Sequence, residues 1–398
     1  MYVTLAILAV FVFLYSVTSG GLERTPINGA VVFTAFGFVF GPLGLGLLEL
    51  DLGAEGLRTI AELTLALILF IDAANVNLDE LKQSFQLPRR MLLIGLPLTI
   101  LLGFAFGVLI FDELMLLEVA VLATMLAATD AALGKAVVTN ESVPSRVRET
   151  LNLESGLNDG ICVPILFLFL ALATANVAEG ETTMLALELF ATEIGIGAAV
   201  GLGMTFLGAW LLKKCAERGW ITEIWKQLPV VALAVACFTI AQSLHGSGFI
   251  AAFVGGFLFG VIAKHQKHKL LHAAEGTGET LGLITWVVFG AAVFGQSIGH
   301  FSWKVVVYAL LSLTVIRMLP VFLSLAGTNV RTDEKLFMGW FGPRGLATIV
   351  FAVIVLNRDL PGEGTIVMTS VCTIILSIIL HGLSANPLIA ALAARIKS

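Results

Sequence analysis

The chain has 398 residues, of which 58% are hydrophobic and 13% are charged, and its mean hydropathy is +0.97. Soluble domains contain roughly 45–50% apolar and 25% charged residues, so the composition excludes a soluble protein and indicates an integral membrane protein. The net charge of −5 is small for this length and gives no indication of a nucleic-acid partner.

Apolar windows recur along the whole chain and are long enough to cross a bilayer as helices. We interpret the first window as a retained helix and not as a signal peptide, because no Lys or Arg precedes it and no small-residue cleavage site follows. The sequence predicts an all-α membrane protein, a single transporter unit over residues 1–398, with about 13 transmembrane helices at 3–20, 27–48, 56–74, 91–111, 114–138, 150–173, 186–212, 227–244, 248–263, 277–297, 303–326, 336–356 and 365–389.

The distribution of basic residues predicts the orientation in the cell (inner) membrane. If the first helix runs from outside to inside, most of the 23 Lys and Arg residues fall in cytoplasmic segments, and only Arg58, Lys304 and Arg358 remain outside. We therefore expect an external N-terminus and a cytoplasmic C-terminus.

Thirteen spans divide into two six-helix halves around a spare seventh helix, which gives the halves inverted orientations, as in many secondary transporters. The fifth and twelfth spans then correspond, and both are interrupted. Thr129 and Asp130 lie in the middle of the fifth span, and Gly342-Pro343-Arg344-Gly345 lies in the twelfth. Matched broken helices predict an ion site where they cross. Two unrelated proline or glycine kinks are the alternative.

The densest polar stretch inside a span is Asn152–Gly160. At 100° per residue, Ser155 and Asp159 share one helical face, and Glu154 and Asn158 share the adjacent one. A charged side chain inside a bilayer costs roughly 2.5–3.5 kcal/mol on insertion scales, so such a residue predicts a functional site. The alternative is a polar helix end that reaches the cytoplasm.

Five charged residues cannot all face lipid: Asp130, Glu154, Asp159, Arg317 and Arg344. Two arginines against three carboxylates leave one carboxylate unpaired, which is the charge that one monovalent cation or one proton requires. We find no spacing typical of a transition-metal site, and we expect no cofactor.

Hard cations prefer oxygen ligands. Asp159 and Ser155 with the Thr129 hydroxyl and carbonyl groups of the interrupted fifth span provide such ligands, and they predict a monovalent cation site. Asp72, near the inner end of the third span, is either a carboxylate of the inner funnel or a helix-end residue.

Histidines offer a separate possibility. The basic loop that contains His265, His268 and His272 is interpreted either as a cytoplasmic pH sensor or as an ordinary solvated loop, and the solvated loop is favoured. His381, on the last span, is expected to make an interhelical contact.

The polar motifs occur together in an order that closely resembles the monovalent cation–proton antiporters of the NhaP/NHE type. The resemblance covers the third to thirteenth spans and is carried by Phe70-Ile71-Asp72-Ala73, Ala128-Thr129-Asp130, Glu154–Asp159, Ile316–Val321, Gly342–Gly345 and His381–Leu388. Ala131 departs from it, because many members carry Pro at this position. Many relatives also have a regulatory C-terminal tail, which we do not expect here.

The resemblance implies roles for the site residues. The residue matching Asp159 binds the cation or proton, those matching Asp130, Ser155 and Thr129 assist, and Glu154 pairs with an arginine. Arg317 is the favoured partner, with Arg344 nearer to Asp130. The resemblance also implies a homodimer with elevator-like alternating access, a dimerisation domain at about 1–74 and 186–297, and an ion-binding core at about 91–173 and 303–389.

Competition between a cation and a proton for Asp159 predicts antiport, because burial disfavours an empty ionised carboxylate. Relatives that move net charge carry Asp at the position of Asn158, so we expect electroneutral exchange of Na⁺, and also Li⁺, for H⁺. A K⁺/H⁺ antiporter of the same fold is the nearest alternative. A cation channel is less favoured because no filter-like loop is evident, and a membrane enzyme because no nucleophile–base pair is evident.

Overall fold

The computed structural model describes residues 2–22, 29–48, 53–76, 86–130, 133–177, 183–222, 224–264, 267–294, 299 and 301–397, and helix is the only regular secondary structure within these ranges. The all-α prediction is confirmed. The helices are α1 (Tyr2–Leu22), α2 (Gly29–Phe40), α3 (Gly53–Asn75), α4 (Gln86–Ile110), α5 (Leu116–Met125), α6 (Lys135–Val138), α7 (Ser145–Val177), α8 (Thr183–Glu217), α9 (Pro229–Ser243), α10 (Gly248–Ile262), α11 (Lys267–Val288), α12 (Trp303–Leu313), α13 (Val315–Ser324), α14 (Thr332–Trp340), α15 (Leu346–Val355) and α16 (Glu363–Lys397).

Many of these helices have the length and composition of membrane spans. Among the described residues, seven are long and apolar enough to cross a membrane: α1, α4, α7, α8, α11, the pair α12–α13, and α16. Five shorter helices, α2, α5, α9, α10 and α15, are also apolar. Helices α7 and α16 extend beyond the predicted spans 150–173 and 365–389, because helical geometry continues past each apolar window into polar residues.

Two helices contain π-helical segments. Residues Met91–Gly95 form a π segment within α4, and Phe289–Phe294 continue α11 as a π segment. Such segments place an additional residue in a turn and shift the helical face that follows.

The predicted eleventh span, 303–326, corresponds to the apolar pair α12–α13, which an interruption of the helix divides. Helix α12 ends at Leu313 and α13 begins at Val315, with Thr314 at φ −112° and ψ −97° between them. The Thr314 hydroxyl donates to the Leu310 carbonyl at 2.6 Å, a local bond that competes with regular helix geometry. The Arg344 guanidinium donates to the Ser312 carbonyl at 3.3 Å beside this break.

Glycines bring α3 and α10 into direct backbone contact. A Cβ atom on Gly256 would lie 2.1 Å from the Phe70 carbonyl oxygen, and one on Gly260 would lie 2.3 Å from the Ala74 carbonyl oxygen. Side chains other than hydrogen are therefore excluded at both positions. Both glycines thus permit the close packing of α10 against α3, the helix that carries Asp72.

Candidate functional site

The two interrupted spans meet at their breaks. Helix α5 ends at Met125 and α15 begins at Leu346, after a non-helical segment at 341–345. The backbone N–H of Asp130 donates to the Pro343 carbonyl at 2.8 Å. The breaks that the sequence placed in the fifth and twelfth spans thus contact each other directly, backbone to backbone.

Asp130 connects the breaks through its side chain as well. Its Oδ2 accepts from the backbone N–H of Leu346 at 2.7 Å and its Oδ1 from that of Leu133 at 3.2 Å, with 8% of the residue exposed. Leu346 is the first residue of α15, where an acidic group is favoured by the helix dipole and satisfies a free amide. A Cβ on Gly345 would lie 2.0 Å from Oδ2, so glycine leaves the space for this contact.

The backbone carbonyl groups that follow the end of α5 accept hydrogen bonds from side chains. Three consecutive carbonyls each accept from a different residue, two of them on α7 and one at the twelfth-span break. The bonds are Asn158 Nδ2 to Ala127 O at 3.1 Å, Arg344 Nη1 to Ala128 O at 3.3 Å, and Ser155 Oγ to Thr129 O at 2.8 Å. The carbonyls predicted as cation ligands are therefore already engaged by protein donors, and each retains only its second lone pair.

Glu154 and Arg317 form a buried ion pair. Nη1 and Nη2 of Arg317 lie 2.8 and 2.9 Å from the two Glu154 carboxylate oxygens, and each side chain is 1% exposed. This two-bond geometry is the strongest form of an arginine–carboxylate contact. A Cβ on Gly342 would lie 2.5 Å from Arg317 Nε, so the glycine of the twelfth-span break admits the guanidinium.

Asn158 is fully buried and connects the ion pair to the break. Besides Ala127, its Nδ2 contacts Thr129 Oγ1 and Glu154 Oε1, each at 3.2 Å. Its Oδ1 accepts from the Cys162 thiol at 3.1 Å, which fixes the direction of the amide. The sequence had given Cys162 no role. Its spacing of one helical turn from Asn158 was the available signal.

Asp159 is a buried carboxylate whose hydrogen bonding is incomplete. It is 6% exposed, and among the described residues its Oδ1 has no hydrogen-bond partner. Ser155, 7% exposed, lies one helical turn earlier on the same face. Asp72 on α3 faces this part of α7, since a Cβ on Gly156 would lie 3.5 Å from Asp72 Cβ. A narrow cavity with room for little more than a single water molecule runs along Thr129, Asp130 and Ser155.

Arg344 is fully buried, and no carboxylate among the described residues lies within ion-pairing distance of it. Its backbone N–H donates to Ser377 Oγ at 2.7 Å, and Ser377 Oγ lies 3.2 Å from His381 Nδ1. The Nε2 of His381 lies 2.9 Å from the Trp340 carbonyl. His381 thus makes the expected interhelical contact. Ser377 was missed, because a serine on an apolar helix gives no distinctive sequence signal.

Glu118, within the predicted fifth span, is fully buried. Its two oxygens accept from the backbone N–H groups of Met115 at 2.8 Å and Gly362 at 2.6 Å. It therefore caps α5 and joins that helix to the start of α16.

Some predicted residues cannot be placed. His265 and Ala131 lie outside the described residues, and only the backbone of His268 is described. His272 is exposed on α11.

A bundle of apolar helices that buries charged residues where two helix breaks cross has the architecture of a secondary membrane transporter. The sequence profile of the family described as "Sodium/hydrogen exchanger, transmembrane" matches residues 7–391. The chain belongs to this family, and the resemblance inferred from the motifs is confirmed.

Named relatives of two kinds match most of the chain. It is 24% identical over 363 residues to a K(+)/H(+) antiporter NhaP2 of Shewanella sp. (strain ANA-3), covering 91% of this chain and 62% of that protein. It is 24% identical over 355 residues to a Na(+)/H(+) antiporter of Schizosaccharomyces pombe, covering 83% of this chain and 74% of that protein. The chain thus spans less than two thirds of the length of the NhaP2 relative.

The fold also matches a solved structure, that of the sodium proton antiporter MjNhaP1 from Methanocaldococcus jannaschii. The TM-score is 0.78, with 21% sequence identity, and the match covers 96% of this chain and 98% of the other. At this identity the match establishes the shared fold.

Proposed function

We propose that the protein is an electroneutral monovalent cation/proton antiporter in which a cation and a proton compete for Asp159. One observation carries the proposal: Asp159 is buried, and its Oδ1 has no hydrogen-bond partner among the described residues. Glu154 and Asp130 differ from it, since each has both oxygens engaged by protein donors. An ionised carboxylate oxygen that lacks a donor is costly away from water, so a proton or a cation is expected there.

The remaining ligands follow from what surrounds Asp159. The Ser155 and Thr129 oxygens retain lone pairs for a cation, and Asp72 provides a negative charge on the opposing helix. Asp130 assists by holding the crossing together. Asp159 carries the exchangeable charge of the site. The surroundings of the site are stabilised by Glu154, Asn158, Arg317 and Arg344.

The transporter architecture is part of the proposal. It comprises about 13 spans in two inverted halves, a core at about 91–173 and 303–389, and a dimerising scaffold at about 1–74 and 186–297. The core moves between two faces of a homodimer, in the cell (inner) membrane with the N-terminus outside and the C-terminus in the cytoplasm. The family match, the crossing of the two breaks and the bias of basic residues support this arrangement.

Na⁺, with Li⁺ as a second substrate, is the proposed cation, and K⁺ is the alternative that the NhaP2 relatives favour by name. Everted membrane vesicles loaded with a pH-sensitive dye test the choice. We expect Na⁺ and Li⁺ to restore fluorescence at millimolar concentration and choline to have no effect. Restoration by K⁺ alone would support the K⁺/H⁺ alternative, and restoration by none of the cations would contradict cation/proton exchange.

A further inference from the structure

A cavity of about 490 Å³ lies at the end of α4, away from the crossing. Its polar lining comprises Gln86, Arg89 and Arg90 at the start of α4, and Gly327 and Thr328 of the loop after α13. The volume is that of a small-molecule site. Two guanidinium groups with an amide favour an anion, and a phosphate in particular, because a guanidinium can donate two parallel hydrogen bonds to it.

The polar walls are held in place by hydrogen bonds. Arg90 Nη2 donates to the Ala326 carbonyl at 2.8 Å, and Thr328 Oγ1 donates to the Leu325 carbonyl at 2.7 Å. Gly327 has φ +72°, a left-handed conformation that turns the loop at the rim. Arg90 has five N–H donors, so its bond to the loop leaves others for a ligand.

The cavity continues onto an apolar helix surface. Leu93 and Ile94 line it and are 68% and 42% exposed, and Leu323 on the neighbouring α13 is 51% exposed. In a membrane protein these side chains contact lipid. A soluble anion would use the arginines alone, whereas a phospholipid would occupy both the basic wall and the apolar surface. The basic end of α4 also lies on the side expected to be cytoplasmic.

We propose that this cavity binds the phosphate headgroup of an anionic phospholipid, with an acyl chain along Leu93, Ile94 and Leu323. The bound lipid bridges α4 and the end of α13, which already touch, since a Cβ on Gly95 would lie 3.4 Å from Ser324 Oγ. Helix α13 carries Arg317, the partner of Glu154. The lipid therefore stabilises the helix that supplies the buried arginine, and the proposal does not depend on which cation is exchanged.

The test is thermal unfolding of the purified full chain in a neutral detergent, with and without added lipid. Phosphatidylglycerol is expected to raise the melting temperature by about 2–5 °C, and phosphatidylcholine is expected to leave it unchanged. The double variant Arg89→Gln/Arg90→Gln should lose the increase. The matched control Lys213→Gln/Lys214→Gln, which removes two basic residues at the end of α8, should retain it.

Three results would overturn the proposal: an equal increase with phosphatidylcholine, an undiminished increase in the double variant, or the same increase with inorganic phosphate alone. If the double variant does not fold, Arg89→Gln alone leaves the bond from Arg90 to Ala326 intact and should still reduce the increase. Native mass spectrometry of the unchanged protein in an equimolar lipid mixture adds an independent measurement. Retention of phosphatidylglycerol above phosphatidylcholine is expected, and equal retention would contradict the site.

Discussion

Neighbouring residues on α7 have different chemical environments. Glu154 has a guanidinium on both oxygens, Asn158 has acceptors at its Nδ2 and a donor at its Oδ1, and Asp159 has an oxygen with no partner among the described residues. The stretch 154–159 therefore separates a carboxylate that is paired within the protein from one that keeps an oxygen without a partner among the described residues.

Replacing Asp159 with Asn should abolish cation/proton exchange without unfolding the protein. The amide retains the shape of the side chain but neither binds a proton at neutral pH nor attracts a cation. The measurement is dye fluorescence in everted vesicles, with the amount and monodispersity of the purified variant as the control for folding. Exchange at the rate of the unchanged protein would show that Asp159 is not the shared site.

Glu154→Gln should lower the melting temperature more than Asp72→Asn does. Removing one partner of a buried ion pair costs roughly 3–5 kcal/mol, because the Arg317 charge stays buried without compensation. Asp72 is only partly buried, and no comparable pair is described for it. Thermal unfolding of both variants in the same detergent is the comparison.

A double-mutant cycle provides the control for this assignment. Glu154→Gln/Arg317→Met removes both charges, so it should be less destabilised than the sum of the two single changes. Purely additive destabilisation would mean that the 2.8 and 2.9 Å contacts contribute nothing specific to stability.

At the scale of the element, the sequence predicted the breaks but not what stabilises them. Pro343 and its glycines, and the polar pair Thr129-Asp130, mark the breaks by local chemistry that is visible in the sequence. The cap that Asp130 places on Leu346 joins residues 216 positions apart, and no local pattern reveals it.

The break at Thr314 escaped prediction for the same reason. A threonine is tolerated inside a helix, and the arginine that donates to the Ser312 carbonyl beside this break lies 32 residues further along the chain. Span ends were imprecise because hydropathy follows lipid contact, whereas α7 and α16 remain helical beyond it.

The packing of α7 against α10 gives a prediction at this scale. A Cβ on Gly160 would lie 2.1 Å from a ring carbon of Phe253, whereas a Cβ on Gly203 of α8 would meet no atom within 4 Å. Both changes to alanine favour helix by up to about 1 kcal/mol, but an overpacked contact costs typically 1–3 kcal/mol. Gly160→Ala should therefore lower the melting temperature and slow exchange, and Gly203→Ala should do neither. Equal melting temperatures and exchange rates of the two variants would show that α7 can shift at this contact at little cost.

At the scale of the whole molecule, the question is how much charge crosses the membrane in one cycle. Glu154, Asp130 and Asp159 carry three negative charges and Arg317 and Arg344 carry two positive ones, all buried. One negative charge remains after this count. If only that charge takes part in the proposed exchange, one cation is exchanged for each proton. In the proposed exchange, Asn158 maintains this one-for-one ratio, since an aspartate at this position would add a second exchangeable carboxyl group.

Exchange in proteoliposomes should therefore be insensitive to membrane potential. A potential of about 100 mV shifts the equilibrium of a process that moves one net charge by roughly 2.3 kcal/mol, and no such shift is expected here. A K⁺ gradient with valinomycin sets the potential for the Na⁺ measurement, and a thiocyanate gradient does so if K⁺ is transported. Asn158→Asp is the matched variant, for which sensitivity to the potential is expected. A shift near the full value in the unchanged protein would show that a second carboxyl group titrates.

The pairing of Glu154 with Arg317, 163 residues later, also sets an order of events during synthesis. At about 5–20 residues per second, Glu154 is made roughly 8–30 s before its arginine. The interval between the synthesis of Asp130 and that of Leu346 is longer still. During this interval the first half of the chain lacks Arg317 and Leu346, which Glu154 and Asp130 contact in the full chain, so it cannot reach its final packing alone. A chain that stops after Val177 therefore lacks the arginine of its ion pair, and its Glu154 has no partner to compensate its charge.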